Sequence, residues 1–168
     1  MKTEIRYGVF FALIVVVYVM IEHLLGFNTT RHDIGQYSRF AGILVPIIGV
    51  FFGIKAKREK DLNGIMTFRQ GVKAGVIVAV VQTTITTLWF LLYGEIINPE
   101  FMDTMLEFER TKMLADGMTE SAVTEQLAAM RTMFAPPNLQ IFQELIGIAY
   151  GSLFAAIFSA FLKKKSAA

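Results

Sequence analysis

The order of apolar and polar residues divides the chain into four long apolar segments separated by more polar ones. A helix needs about 20 residues to cross a hydrocarbon core roughly 30 Å thick. Within a bilayer only a helix satisfies the backbone amides of a single segment internally. The predicted membrane-spanning helices therefore cover residues 7–27, 38–54, 72–93 and 139–162, the second being slightly short.

The polar segment between the third and fourth apolar segments also carries helix signals. Asn98, which proline follows, is predicted to be an N-cap residue. Gly117 is predicted to end this helix, Thr119 to cap a second one, and Pro136 to end it. We therefore predict a helical hairpin over residues 98–135, which either covers the bundle, docks a partner or gates it.

The composition agrees with an integral membrane protein. Apolar residues make up 54% of the chain and charged residues 18%, against about 45–50% and about 25% in soluble domains. With 168 residues the chain has the length of one domain. The predicted fold is a single all-α membrane domain over residues 1–168: a four-helix transmembrane bundle with an extracytoplasmic hairpin between the third and fourth spans.

The first apolar segment is interpreted as a retained span rather than a cleaved signal peptide. Its apolar run is longer than the usual signal-peptide core. No pair of small residues that would mark a cleavage site follows it.

The distribution of lysine and arginine predicts the orientation. These residues concentrate at both chain ends and between the second and third spans, while the predicted hairpin region is rich in acids. Cytoplasmic loops carry an excess of lysine and arginine. Both termini are therefore predicted to be cytoplasmic, with the basic segments against anionic lipid headgroups.

Small residues recur every fourth position in the third and fourth spans, and a shorter stripe lies in the second. Small side chains let membrane helices approach closely. The stripes predict close helix contacts, either within one four-helix bundle or across a homodimer seam. The helix-packing candidates are Gly49, Gly53, Gly71, Gly75, Gly147 and Gly151.

Ionisable and amide groups within the spans are the candidates for a functional site, because burying them in hydrocarbon is costly. Glu22, His23 and Glu144 are predicted to lie at similar depth toward the outer face, with the two glutamates facing one another. Gln82 falls near the middle of the third span. The first three residues form either a proton or cation site that opens outward, or groups that reach interfacial water. Gln82 either bonds a neighbouring helix or lines a substrate site.

The sequence lacks the motifs of the common enzyme classes. It has no cysteine and two histidines, which excludes thiol chemistry and disfavours a transition-metal site. It has no phosphate-binding glycine loop, paired-histidine metal motif or nucleophile elbow. We predict no enzyme activity, catalytic residue, metal, cofactor or nucleic-acid partner; the expected partners are the lipid bilayer and a second copy or another membrane protein.

Two stretches near the middle of the chain resemble the central signature of an uncharacterised family, domain of unknown function 4199 (DUF4199). They are residues 53–58 (GIKAKR) and 64–75 (GIMTFRQGVKAG). Residues 7–8 (YG), residues 98–100 (NPE) and the lysine-rich C-terminus are similar too. The family comprises small four-span bacterial membrane proteins, mostly from Bacteroidota. The resemblance implies a multi-pass protein of the cell inner membrane, and it transfers no catalytic or binding residue.

Two functional hypotheses follow from these patterns. The first is a non-enzymatic membrane protein that acts by associating with itself or with a membrane partner; the glycine stripes and the predicted hairpin motivate it. The alternative is a small oligomeric ion or solute transporter or channel, which would use Glu22, His23, Gln82 and Glu144.

Overall fold

The apolar segments fold into helices in the computed structural model, which describes residues 1–164 without a β-strand in this part of the chain. Short π-helical turns extend α3 and α4, over Lys57–Asp61 and Tyr93–Ile97. The α-helices are α1 (Thr3–Leu24), α2 (His32–Gly42), α3 (Leu44–Ala56), α4 (Phe68–Leu92), α5 (Phe101–Ala115), α6 (Glu120–Phe134) and α7 (Asn138–Leu162).

Within the described residues, four helical stretches are long and apolar enough to cross a membrane: Thr3–Leu24, His32–Asp61, Phe68–Ile97 and Asn138–Leu162. Large apolar side chains project outward from them, as in Leu24 and Phe161, which are 79% and 82% exposed. An apolar exterior suits lipid and not water. The predicted all-α fold is confirmed, and four helices long and apolar enough to span a membrane are the pattern of a multi-pass membrane protein.

The helix boundaries differ from the predicted ones at the first connection. Helix α1 ends at Leu24, because Gly26 adopts a left-handed conformation with φ of +79° and turns the chain. The second helical stretch then begins at His32, whereas residue 38 was expected. Its first turns are polar, so a reading based on apolar residues alone leaves them out.

Pro46 predicts a kink in the second stretch, because proline lacks an N–H and its ring crowds the carbonyl four residues earlier. That carbonyl belongs to Gly42, the last residue of α2. The helix is interrupted at Ile43, between α2 and α3. The break therefore lies where the proline requires it.

Helices α3 and α4 form the centre of the bundle, since each packs against both α1 and α7. The side chains of Val50, Ile54 and Val78 at this centre are at most 1% exposed. Close packing of this kind, rather than a hydrophobic driving force, holds helices together in lipid.

The most extensive contact in the described chain joins α4 to α7, and small residues make it. A Cβ added to Gly75 would lie 2.5 Å from the Cβ of Ala155, closer than real side chains approach. The same relation repeats along both helices in one antiparallel register. The pairs are Gly71–Ser159, Gly75–Ala155, Ala79–Gly151 and Thr83–Gly147.

The glycines of α3 make the corresponding contacts with α1 and α4. A Cβ on Gly49 would lie 2.8 Å from the Cβ of Phe11, and one on Gly53 would lie 2.5 Å from Cγ2 of Val78. All six candidate packing glycines thus lie at contacts between helices of one chain.

Opposite ends of the bundle carry different elements. At one end Lys57 Nζ pairs with Glu4 Oε1 at 2.9 Å, which joins the N-terminus to the loop after α3. Backbone bonds of 3.0 and 2.9 Å between Met66 and Lys164 add the C-terminal segment. We call this end, which contains Lys57 and Lys164, the basic end. Helices α5 and α6 lie at the opposite end of the bundle, because they follow the C-terminal end of α4.

Helices α5 and α6 both end just before residues that break a helix, and α6 starts at a capping threonine. Helix α5 ends at Ala115, before Gly117 with φ of +86°. Thr119 Oγ1 accepts a bond from the Ala122 amide at the start of α6, and α6 ends at Phe134, before the two prolines. Arg131 pairs with Asp103, so the two helices run antiparallel.

We predict that Gly75→Ala destabilises the protein, because the added methyl would force α4 away from Ala155. Overpacking of a tight contact costs about 1–3 kcal/mol, so the melting temperature in detergent should fall. Gly94→Ala is the matched control, since nothing lies within 4 Å of a Cβ built there. Equal melting temperatures for the two variants would contradict the close α4–α7 contact.

Candidate functional site

Gln82 lies at the centre of the bundle, where its side chain is 2% exposed. Its Nε2 donates to the backbone carbonyl of Pro46 at 3.2 Å. Its Oε1 points at Gly49, where a Cβ would collide with it. Gln82 therefore bonds a neighbouring helix, and Gly49 makes room for it.

A polar cluster joins the end of α1 to the π-helical turn after α4. Asn98 Nδ2 donates to the Asn28 carbonyl at 2.8 Å and to the Tyr93 hydroxyl at 3.1 Å. That hydroxyl also bonds His23 Nδ1 at 3.0 Å, and Asn28 Nδ2 reaches Glu22 Oε2 at 3.5 Å. We call these five residues the polar cluster. They join the connection that follows α1 to the connection that follows α4.

The predicted capping role of Asn98 is wrong. Helix α5 begins at Phe101 with Glu100 as its N-cap residue. The Asn98 side chain instead bonds the Asn28 carbonyl and the Tyr93 hydroxyl, directly after the π-helical turn Tyr93–Ile97. Its partner Asn28 is 70 positions away in the sequence. The local pattern that suggested the cap contains no information about so distant a contact.

Glu22 is the least satisfied member of the polar cluster. It is 4% exposed, and its Oε1 has no hydrogen-bond partner among the described residues. In the same part of the chain no cationic nitrogen lies within 4.0 Å of the carboxylate. A buried carboxylate without a cation or a full set of donors is costly. Glu22 Oε1 is therefore a buried acceptor that the described residues leave without a donor.

Glu144 lies elsewhere, on the side of the α4–α7 contact that faces out of the bundle. Its Oε1 accepts a bond of 2.9 Å from Oγ1 of Thr84, an exposed residue. Thr84 follows Gln82 by two positions, in the middle of the third span. The Glu144 carboxyl is thus half-buried and level with the middle of the third long apolar helix.

The prediction that Glu22 and Glu144 lie at similar depth and face each other is wrong. The polar cluster lies at the level of Tyr93, whereas Glu144 lies near Thr84. The nine positions between Thr84 and Tyr93 correspond to about 14 Å along a helix axis. The α4–α7 register sets this offset, since it places Gly147 against Thr83.

Glu144 belongs to a row of polar side chains on one side of α7. Gln140 lies one helical turn before Glu144, and Gln143 lies one turn after Gln140 and directly before Glu144. The Oε1 atoms of both glutamines are buried and have no partner in the described residues. We call Thr84, Gln140, Gln143 and Glu144 the polar strip. Polar groups of this kind bond between helices in membranes.

A family model described as "Protein of unknown function (DUF4199)" matches residues 6–164. The chain belongs to this family. The match includes both stretches, 53–58 and 64–75, so the resemblance expected from the sequence is confirmed. No curated protein and no solved structure matches the chain.

Three members of the polar cluster in this DUF4199 protein were not expected to form a site: Asn28, Tyr93 and Asn98. A usable signal existed, because all three lie at or just beyond the ends of apolar segments. Tyrosine at such a position places its ring in apolar surroundings and its hydroxyl near polar groups. Among residues 1–164, no group of three or more His, Asp or Glu side chains is arranged to hold a metal ion.

We predict that Asn98→Ala lowers the melting temperature, because it removes two hydrogen bonds and leaves the Asn28 carbonyl and Tyr93 hydroxyl buried without that donor. Leaving a buried polar group unsatisfied costs about 1–3 kcal/mol. Asn138→Ala is the control, because its side chain makes one bond at an exposed position. If the control loses as much stability as Asn98→Ala in circular-dichroism melts, the polar cluster is not a structural tie.

Proposed function

We propose that this DUF4199 protein is a non-enzymatic protein of the bacterial inner membrane that acts by associating, with itself or with another membrane protein, through the polar strip. The observation that carries the proposal is the Glu144–Thr84 hydrogen bond on the outward side of α4 and α7. A carboxyl group that faces lipid at this depth is costly. A partner helix that supplies hydrogen-bonding groups reduces that cost.

The use of the small residues supports the polar strip as the association surface. The pairs from Gly71–Ser159 to Thr83–Gly147 make contacts within the chain. These residues are therefore not free to form a seam with a second molecule. The polar strip lies beside these contacts, on the outward side of the bundle, and is therefore the surface available to a partner.

The distribution of charge supports an orientation with both termini and the basic end in the cytoplasm. Lys57 and Lys164 lie at the same end as the N-terminus, and lysine and arginine favour the cytoplasmic side. In this orientation α5 and α6 form an extracytoplasmic hairpin. The bridge between Arg110 and Glu120, 3.0 Å long, stabilises the turn between these two helices.

A second candidate function, a small oligomeric transporter or channel, is favoured by one observation. The buried Glu22 Oε1 has no partner in the described residues, and it lies toward the end where α5 and α6 follow α4. Such an atom suits a proton or cation site. Against a path through one chain, the side chains of Ile54, Val50 and Val78 fill the centre of the bundle. Cation flux into liposomes that Glu22→Gln abolishes would favour this second function over the first.

We predict that Glu144→Leu releases the chain from its complex. The assay is purification from native membranes in a mild detergent, followed by mass determination. The wild type should be heavier than one chain plus detergent, and the variant should shift toward the monomer, since leucine cannot bond the partner. Leu145→Ala, a change at a 64% exposed neighbour on a different side of α7, should leave the mass unchanged. A wild-type chain that is monomeric and without any co-purifying protein would contradict the proposed function.

A further inference from the structure

The polar strip has hydrogen-bonding groups that lipid cannot satisfy. Neither Gln140 nor Gln143 makes a side-chain hydrogen bond within the described residues. Since their Oε1 atoms are buried inside the chain, the amide nitrogens are the groups left for a partner. Glu144 has one bond, from Thr84, among the same residues. Hydrocarbon offers neither donors nor acceptors, so each unmade bond is costly there. The strip therefore requires an occupant that is itself polar at the same depth.

The hydrogen-bonding chemistry of the strip is self-complementary. Thr84 carries a hydroxyl, and the two glutamines offer amide donors, because their carbonyl oxygens are buried. Glu144 supplies an acceptor when ionised and also a donor when protonated. A partner that offered only a lysine or arginine would pair with Glu144 but leave the amide donors of Gln140 and Gln143 unmatched. A second strip of the same composition can match donors and acceptors alike.

Symmetry brings two such strips together without an offset in depth. A twofold axis parallel to the helices keeps each residue of one copy at the depth of the same residue in the other. Exposed apolar side chains flank the strip at helical spacing and would surround the polar contact. They are Val80 and Leu88 on α4, 38% and 57% exposed, and Ile141 on α7, 55% exposed.

We infer that the occupant of the polar strip is a second copy of this chain, so that α4 and α7 of two molecules form a twofold interface with each Glu144 against the partner's polar strip. The inference rests on the proposed function and makes it specific, because it identifies the partner. Val80, Thr84 and Leu88, one turn apart on α4, lie close to the axis of this homodimer.

The chain contains no cysteine, so single cysteines report proximity directly. We expect Val80→Cys, Thr84→Cys or Leu88→Cys to give a disulfide-linked dimer on mild oxidation of native membranes. Val17→Cys is the matched control, because this valine on α1 is 58% exposed but remote from the strip. Adding Glu144→Leu to Val80→Cys or Leu88→Cys should reduce the dimer about tenfold, since an interhelical hydrogen bond contributes roughly the 1.4 kcal/mol that a factor of ten represents.

A photo-crosslinking residue in place of Leu88 distinguishes failure of this inference from failure of the proposed function. An adduct between two differently tagged copies of the chain supports the homodimer. An adduct with a different protein, together with no disulfide dimer above the Val17→Cys control, overturns the homodimer and leaves association through the strip standing. Absence of both adducts and disulfide dimers overturns both proposals.

Discussion

The close antiparallel contact between α4 and α7 is the constraint on which the other features depend. It exists because small residues face each other along both helices, as at Gly75 and Ala155, where an added Cβ would lie 2.5 Å from its neighbour. Helix association in lipid relies on such close packing, since lipid offers no hydrophobic penalty to drive it. The contact fixes the register of α7, and the register fixes the depth of Glu144, beside Thr84 in the middle of the third span.

The polar groups inside the bundle divide into those with partners and those without. Asn98 makes two buried bonds, and Gln82 bonds the carbonyl of Pro46; both hold helices together. The Oε1 atoms of Glu22, Gln82, Gln140 and Gln143 are buried without a partner in the described part of the chain. Because unmade bonds are costly in a membrane, a ligand is expected at Glu22, and a partner chain is expected at the accessible groups of the polar strip.

The sequence predicted the parts of the fold that depend on local pattern. Four apolar segments, the turn at Gly117 and the cap at Thr119 follow from hydropathy and from residue conformation, and each is present. The depth of Glu144 was not predicted, because hydropathy gives the length of each span and not its vertical offset from its neighbours. Aligning the four small residues from Gly71 to Thr83 antiparallel with those from Gly147 to Ser159 would have given that offset. The bonds of Asn98 depend on a contact far along the chain, which no local pattern contains.

The most direct test of this account asks whether the α4–α7 contact lies within one chain. In a double variant, Thr83→Cys with Gly147→Cys, the two Cβ atoms lie near 3.2 Å before relaxation, close to the roughly 3.5–4.5 Å of a disulfide. Mild oxidation in native membranes should give an intramolecular disulfide, seen by mass spectrometry of a monomeric band. Dimers linked through these two positions would contradict the account, because they would place the small-residue contact between two chains and leave the polar strip without its assigned role.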